Sequence, residues 1–294
     1  MNNGLLNDQS QLVFMHIPKA AGTTLTSILD SHYESSQICP AYYMRELMQI
    51  PINQINKYQL IRGHFEYSIC KLLDNPICMT MLRDPIQRVI SHYLFIRSSQ
   101  THALHKKFQS MSIMDMLNDP NEIISLTNHQ TLYFGRNLNL DLLKQNLAAK
   151  NPISQTQHTT SRVIPKSNMN LELAISLELA MSRLKDLAFI GITEQFKDSL
   201  LLMSYTFGWA PVKNYESRNI TPKKEGQIIN DFEVVDAITE INKLDLSLYA
   251  FAQDLFKARV NEMKLHIADH YNLDDIKLLN DEMIIAYLDK QAIQ

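Results

Sequence analysis

Residues 12–29 read LVFMHIPKAAGTTLTSIL, and this stretch decides the fold. Its first four residues are apolar and predict a buried strand. Pro18 ends that strand, because proline has no N–H for a sheet ladder and fixes its own φ. A short loop of small residues follows, and Thr23 and Thr24 open a helix. The sequence therefore predicts a strand, a tight loop and a helix N-terminus in succession.

The loop and the helix start have the composition of an anion-binding site. Backbone N–H groups at a helix start lack intrahelical partners, and the positive end of the helix dipole favours an anion. Small residues let the backbone approach an oxyanion closely, and Lys19 adds a mobile positive charge. The standard nucleotide-triphosphate loop has its lysine after the second glycine, whereas Lys19 precedes Gly22. An ordinary strand-to-helix turn with a surface lysine is the alternative interpretation.

The bulk composition is that of a globular protein. The chain has 294 residues, of which 45% are hydrophobic, so one large domain or two small ones are expected. A formal net charge of −3 argues against a non-specific nucleic-acid binder. The cysteines Cys39, Cys70 and Cys78 form no CxxC or zinc pattern, and so sparse and odd a set argues against a disulfide scaffold.

Neither a secretory signal nor a membrane span is expected. The first ten residues have no basic region and no apolar core, and no apolar run approaches the ~20 residues of a membrane helix. We therefore expect a soluble cytoplasmic protein with no membrane partner. Residues 1–10 are expected to be a flexible tail, 11–272 a single domain, and 273–294 a C-terminal helical extension.

Three further apolar segments predict strands at residues 58–61, 77–82 and 187–192. Helical spacing or helix-stop signals surround them, and strands that alternate with helices imply a mostly parallel sheet in an α/β fold. A polar segment with two prolines, residues 151–168, predicts a loop or lid. The remaining helices are predicted at 42–50, 66–74, 86–96, 112–117, 122–134, 171–184, 195–208 and 231–259.

A second possible anion site follows the strand at residues 77–82. Arg83 lies at the carboxyl end of that strand, where open α/β sheets bind ligands. Ser91 is eight residues further on, some 12 Å along a straight helix at about 1.5 Å per residue. The two can flank one phosphate only if the chain bends between them, as Pro85 allows. A helix N-terminal salt bridge with a surface serine is the alternative.

Together the two stretches resemble a known family. HIPKAAGTTL, followed by LRDPIQRVISHY, is similar to the sulfotransferase superfamily that uses 3′-phosphoadenosine 5′-phosphosulfate (PAPS). The likeness is to the carbohydrate-type branch related to heparan sulfate 2-O-sulfotransferase. RGHF at 62–65, the N-x-Q of Asn128 and Gln130, GITEQF at 191–196 and LDLSLYAF at 244–251 extend the likeness over residues 11–260. The resemblance implies a P-loop-like three-layer fold, with a central, mostly parallel sheet flanked by helices and with extra helices.

The resemblance also implies roles for individual residues. Lys19, Ala20, Ala21, Gly22, Thr23 and Thr24 would form the loop around the 5′-phosphosulfate, where Ala20 and Ala21 replace the family's frequent Thr-Gly. Lys19 would also act on the bridging oxygen. Arg83 and Ser91 would hold the 3′-phosphate. Arg218 and Thr221 would lie where the family closes a loop over the nucleotide.

The acceptor hydroxyl needs a base, and histidine suits that role near neutral pH. His64 ends a predicted strand after a glycine, on the sheet edge of Lys19 and Arg83, and the family's catalytic histidine falls in the matching segment. A structural histidine that caps the strand is the alternative. Glu194 is expected to be a charge at a helix N-terminus rather than a second acid or base.

The predicted reaction is in-line transfer of a sulfuryl group from PAPS to a hydroxyl of a small soluble acceptor, either a metabolite or a sugar. No metal is expected, since the donor is already activated and no acidic or histidine cluster has metal-ligand spacing. Three alternatives stay open: a triphosphate-dependent small-molecule kinase, an N-sulfotransferase, and a catalytically silent nucleotide-binding protein. The oligomeric state is not predicted.

Overall fold

A parallel sheet forms the centre of the molecule. The computed structural model describes residues 5–7, 9–137, 175–215 and 228–292. Within these residues the sheet has four strands in the order β2-β1-β3-β4, all parallel. They are β1 (Leu12–Met15), β2 (Leu60–Gly63), β3 (Ile77–Leu82) and β4 (Phe189–Ile192). The predicted α/β class is confirmed.

Helices flank this sheet and extend beyond it. They are α1 (Gly22–Asp30), α2 (Met44–Leu47), α3 (Ile52–Ile55), α4 (Pro85–Ser98), α5 (His105–Ser110), α6 (Ile113–Asn118), α7 (His129–Gly135), α8 (Leu177–Asp186), α9 (Phe196–Phe207), α10 (Phe232–Ile241), α11 (Lys243–His270) and α12 (Asp281–Gln291). Helices α9 and α11 pack on β4, and α7 packs against α8 and α11. Short 3₁₀ turns lie at Ser35–Gln37, Tyr67–Lys71, Ile123–Ser125, Thr193–Gln195 and Ile276–Leu278.

Two apolar clusters hold the elements together. The main core surrounds the sheet, where every residue of β1 is buried. A second cluster, which includes Val89, Phe108 and Ile238, joins α4 to α5, α6 and α10. The two central strands β1 and β3 are paired from Leu12–Ile77 to Met15–Thr80, so the turns that follow them lie side by side at the carboxyl edge of the sheet.

Several predicted boundaries are wrong, for identifiable reasons. Strand β2 begins and ends two residues later than expected, because its pairing with β1 includes Gly63. The helix expected at 122–134 is interrupted at Asn128, whose φ of 44° lies in the left-handed region. The helix expected at 231–259 is divided at Asn242 and continues to His270. The expected loop at 151–168 lies outside the described residues.

The cysteines differ from expectation. Cys70 and Cys78 are joined by a disulfide, which ties the 3₁₀ turn before β3 to β3 itself. Cys39 is free and buried. In the described parts of the chain, no helix combines the length and the apolar character needed to cross a membrane.

Candidate active site

The turn between β1 and α1 holds the predicted phosphate loop. Two of its non-glycine residues have left-handed backbone conformations, Lys19 with a φ of 71° and Ala21 with a φ of 54°. Such conformations cost free energy and persist where the surroundings hold them, most often at functional sites. Ala21 is the N-cap of α1 and provides no capping side chain. The turn is thus a strained, small-residue approach to a helix N-terminus.

Lys19 lies over an aromatic ring. Its Nζ atom is 3.9 Å from the centroid of the Phe95 ring on α4. A cation over a ring face is attracted to it more weakly than to a carboxylate. The sequence motifs gave no role to Phe95, although it lies four residues beyond Ser91 in the predicted helix.

The turn after β3 is built around Arg83. Gln130 exchanges two hydrogen bonds with the Arg83 backbone, accepting from its N–H at 3.0 Å and donating to its carbonyl at 2.7 Å. The Arg83 guanidinium donates from Nη1 to the Lys19 carbonyl at 3.3 Å, and its Nε is 3.9 Å from Glu194 Oε1. The two predicted anion-binding turns are therefore in direct contact through Arg83.

Glu194 organises this second turn. Its carboxylate accepts from the Asp84 backbone N–H at 3.0 Å and from the Tyr249 hydroxyl at 2.6 Å. Glu194 lies in the 3₁₀ turn directly before α9, which agrees with the predicted position at a helix N-terminus. The contacts give Glu194 a further role, since it fixes the position of Arg83. Tyr249 was marked in the sequence only by the family-like segment at 244–251, and its bond to Glu194 was not predicted.

The N-x-Q segment is held by a reciprocal cap. The Asn128 side chain accepts from the backbone N–H of Leu244 at 2.9 Å, and Asn242 Oδ1 accepts from the Asn128 N–H at 2.9 Å. Asp245 accepts from the backbone N–H groups of Gln130 and Thr131 at 3.0 and 2.7 Å. The starts of α7 and α11 therefore cap each other, and this cap presents Gln130 to Arg83. Motif matching located these residues without indicating this structural role.

Ser91 lies inside the protein. It is 3% exposed on α4, two turns beyond Arg83, which precedes the helix. Its neighbour Arg88 is also buried and donates to the Leu126 carbonyl at 2.9 Å. Burial lowers the pKa of Arg88, and the charge of Asp245 opposes that shift. No contact between Ser91 and Arg83 follows from this arrangement, so the shared phosphate site stays a prediction.

His64 lies at the end of β2, on the same sheet edge. Its Nδ1 is 2.7 Å from the carbonyl oxygen of His16, which can only accept a hydrogen bond. The proton is therefore assigned to Nδ1, and Nε2 carries the free lone pair of a proton acceptor. The backbone N–H of His64 donates to the Tyr42 carbonyl at 2.8 Å. These bonds fix the ring in an orientation that suits a base.

His16 connects His64 to the phosphate loop. Its Nδ1 lies 2.6 Å from the Tyr42 hydroxyl, and its ring centroid is 4.6 Å from that of His64. A Cβ atom at Gly22 would overlap the His16 ring, so Gly22 is needed here for space. Its conformation is not the reason, because Gly22 is absent from the residues with positive φ.

The imidazoles at the site are held neutral. Burial lowers the pKa of His64 to about 4 and that of His92 to about 3, and Arg88 and Lys19 lower the latter further. Burial also lowers the pKa of His16 and His129 well below the usual range. The positive charge of the site is therefore carried by lysine and arginine.

The residues present fit a nucleotide that carries anionic groups at two positions. Lys19, the start of α1, Arg83 and Ser91 provide cations and hydrogen-bond donors, the groups that bind phosphate and sulfate oxygens. In the described chain, no group of three or more His, Cys, Asp or Glu side chains is arranged to hold a metal ion. Arg218 and Thr221 lie outside the described residues, so their predicted contacts with the nucleotide stay predictions.

Comparisons with known proteins identify the family of this chain. A family model described as "Sulfotransferase family" matches residues 3–252. Heparan-sulfate 6-O-sulfotransferase 2 of Homo sapiens is 27% identical over 198 residues, which are 63% of this chain and 30% of that protein. Heparan-sulfate 6-O-sulfotransferase 1-B of Danio rerio is 35% identical over 83 residues, 28% of this chain and 20% of that protein.

Both relatives are 6-O-sulfotransferases, so the comparisons support the carbohydrate branch without singling out the 2-O enzymes. The matches span less than half the length of these relatives. The family model, in contrast, covers both anion-binding turns, His64 and the N-x-Q segment. This chain therefore belongs to the sulfotransferase family.

Proposed function

We propose that the protein transfers a sulfuryl group from PAPS to a hydroxyl of a sugar or another small acceptor. The observation that carries this proposal is the meeting of three groups at one sheet edge. Lys19 and Arg83 lie on contacting turns, and His64 beside them has its Nδ1 occupied and Nε2 available. Family membership and the carbohydrate acceptors named for the relatives support the same reaction.

When bound, PAPS supplies an activated sulfuryl group on a phosphate that leaves with negative charge. Lys19 would neutralise that charge, together with the N–H groups at the start of α1. Its contact with Phe95 keeps the ammonium near the loop but leaves it able to turn toward a stronger anionic partner. Arg83 would hold the far phosphate with Ser91.

His64 would accept the proton of the attacking hydroxyl at Nε2. A neutral imidazole is required for this, and the lowered pKa of His64 keeps it neutral at physiological pH. A pKa of about 4 makes a weak base, however. Anionic groups bound next to the ring would raise this pKa and strengthen the base. The donor and the base would in this way act together.

The direct test is His64→Ala. Binding of the product nucleotide 3′-phosphoadenosine 5′-phosphate, measured by calorimetry, should persist, and sulfuryl transfer should fall by about 10²–10⁴-fold. Transfer is followed by mass spectrometry as the gain of one SO₃ group on a panel of alcohols, sugars and amines. His270→Ala, at an exposed site on α11, is the matched control.

Two results would contradict the proposal. Transfer at the wild-type rate by His64→Ala would remove His64 as the base. Failure of the wild-type protein to bind the nucleotide would remove the donor, and with it the activity. Transfer to amines alone would replace O-sulfation with N-sulfation and keep the rest of the mechanism.

A further inference from the structure

One face of α7 lies along the segment that carries His64. His129 and Tyr133 are spaced i and i+4, which places them on one side of the helix, and Arg136 is the C-cap residue that follows it. The pKa of His129 is lowered by burial first and then by surrounding basic groups that include His64. At the other end, Arg136 Nη2 donates to Glu66 Oε1 at 2.8 Å. This polar seam, residues 64–66 against the α7 face, therefore runs from the proposed base to an ion pair.

The Glu66–Arg136 ion pair is incomplete. Glu66 Oε2 and Arg136 Nε are both buried, and neither has a hydrogen-bond partner among the residues that the structure describes. The Arg62–Asp30 pair, whose arginine comes from β2, provides the contrast. There Nε and Nη2 both donate, at 2.5 and 3.0 Å, so the guanidinium and the carboxylate meet through two bonds. An arginine and a carboxylate can form such a pair, yet Glu66 and Arg136 leave one acceptor and one donor unused.

The two unused atoms determine which kind of ligand group could satisfy both of them. A hydroxyl both donates and accepts, so it can satisfy Glu66 Oε2 and Arg136 Nε together. An anionic group would be repelled by the carboxylate, an ammonium by the guanidinium, and an apolar group would leave both atoms unsatisfied at a cost. The side-chain exposures are 15% for Glu66 and 7% for Arg136, and the two unused atoms are themselves buried, so a hydroxyl would reach them only where these side chains move apart.

We propose that Glu66 and Arg136 bind a second hydroxyl of the acceptor while His64 faces the one that reacts. The pair would then be a specificity determinant that selects polyhydroxylated acceptors over simple alcohols. This inference rests on the proposed function for the reacting hydroxyl. The binding of the second hydroxyl can be tested separately.

The test compares glycosides with a simple alcohol. The probes are methyl gluco-, galacto- and mannopyranoside, their monodeoxy analogues, and benzyl alcohol. In the wild type, loss of one particular hydroxyl should lower kcat/KM by about tenfold or more, because a buried charged pair loses its partner. In Glu66→Gln, the ratio of kcat/KM for the glycoside to that for benzyl alcohol should fall by a similar factor. Saturation-transfer NMR should show the same weakening of glycoside binding without turnover.

Two further variants separate recognition from folding. Arg136→Lys keeps the charge and removes the Nε donor, so it should lose the same discrimination. Asp30→Asn alters the complete ion pair and should leave the glycoside preference unchanged. Thermal melting of each variant checks that the protein is folded; if Glu66→Gln does not fold, Arg136→Lys decides the question.

Several outcomes would overturn the inference. An unchanged preference in a folded Glu66→Gln or Arg136→Lys variant would mean that water, not the acceptor, occupies the gap. Sulfation of benzyl alcohol with no binding of any glycoside would remove the inference and leave the proposed function intact. If no acceptor is sulfated, the proposed function fails, and the NMR comparison alone decides whether the pair binds hydroxyls.

Discussion

The two strand-to-helix turns of the site begin their helices in opposite ways. At the start of α4, Asp84 accepts from the Gln87 N–H at 2.9 Å and Pro85 occupies the first helical position, so protein groups close that terminus. At the start of α1 the N-cap is Ala21, which offers no side-chain acceptor. The first turn therefore starts its helix without a side-chain cap, whereas the second is capped and carries the Arg83 side chain.

Backbone strain also distinguishes the two turns. The first turn holds left-handed conformations at Lys19 and Ala21, and the second turn has none at residues 83–85. Two hydrogen bonds with Gln130 and one to Glu194 support the second turn from outside. If the first turn binds an anion through its backbone, as the proposed function requires, its uncapped start and its strain serve the same purpose, while a turn that binds through a side chain can be capped fully.

The largest expected effect concerns the charge of the first turn. Lys19→Met removes the cation that meets the leaving phosphate, so transfer should slow by about 10²–10³-fold, as for loss of one group that stabilises transition-state charge. Steady-state assays over a range of donor concentrations measure it as a change in kcat. Lys213→Met, at an exposed lysine paired with Asp289, is the control. A loss confined to KM would show that Lys19 only binds the ground state.

Acid should destabilise the protein, because its buried histidines take up protons when the chain unfolds. His64 and His92 have pKa values lowered to about 4 and about 3, so the unfolded chain binds protons that the folded protein excludes. The contribution of these histidines to the free energy of unfolding is therefore fully present above pH ~6.5. It is lost as the pH drops toward ~4, by on the order of 2–3 kcal/mol per buried histidine. Urea denaturation across this range measures the loss.

His92→Asn should flatten that acid dependence, and His270→Gln on the surface should not. Glu66 acts in the opposite sense, since burial raises its pKa to about 7, and its contribution falls as the pH rises from about 4.5 to 7. Burial raises the pKa of Asp245 as well, so two carboxyls oppose the four lowered histidines, which outnumber them. Stability that rises on acidification would contradict the burial of these rings.

Removal of the external support should weaken the second turn. Gln130→Ala deletes both hydrogen bonds to the Arg83 backbone and leaves buried groups unsatisfied, for a loss of about 2–3 kcal/mol in the free energy of unfolding. Nucleotide affinity should fall as well, because Arg83 loses its fixed position. Gln109→Ala on α5 is the control. Unchanged nucleotide affinity in a folded variant would mean that Arg83 keeps its position without Gln130.

The smallest effect tests the strain of the first turn. Ala21→Gly should raise the free energy of unfolding by about 1 kcal/mol, because glycine adopts a φ of 54° without a Cβ penalty. Ala20→Gly, at a neighbour without positive φ, should be destabilising by about 0.5–1 kcal/mol. Thermal denaturation compares the two. Equal effects would mean that the strain at Ala21 is negligible.

The features that could be predicted from the sequence were largely those encoded by apolar patterns and by turn-forming residues. Strands β1 and β3 were predicted at their observed bounds, because they are short apolar runs closed by proline-containing turns. Lys19, Arg83 and His64 were identified because each follows a strand at the same sheet edge. The family resemblance then supplied their proposed roles.

The supporting contacts could not be predicted in this way. Gln130 meets Arg83 across 47 residues and Tyr249 meets Glu194 across 55, and no local pattern encodes such distances. The break at Asn128 was missed for the same reason, since its left-handed turn is stabilised by Leu244 and Asn242 from another helix. Polar side chains that bond to distant backbone groups leave no periodic signal.

The close packing of His16 against Gly22 links two positions of the opening motif in evolution. Any side chain at position 22 would collide with the imidazole, so a change there is tolerated only after position 16 has become smaller. His16 in turn provides the carbonyl that orients His64. Sequence change in the predicted phosphate loop is thereby coupled to the orientation of the proposed base, and these two parts of the site are expected to diverge together rather than one at a time.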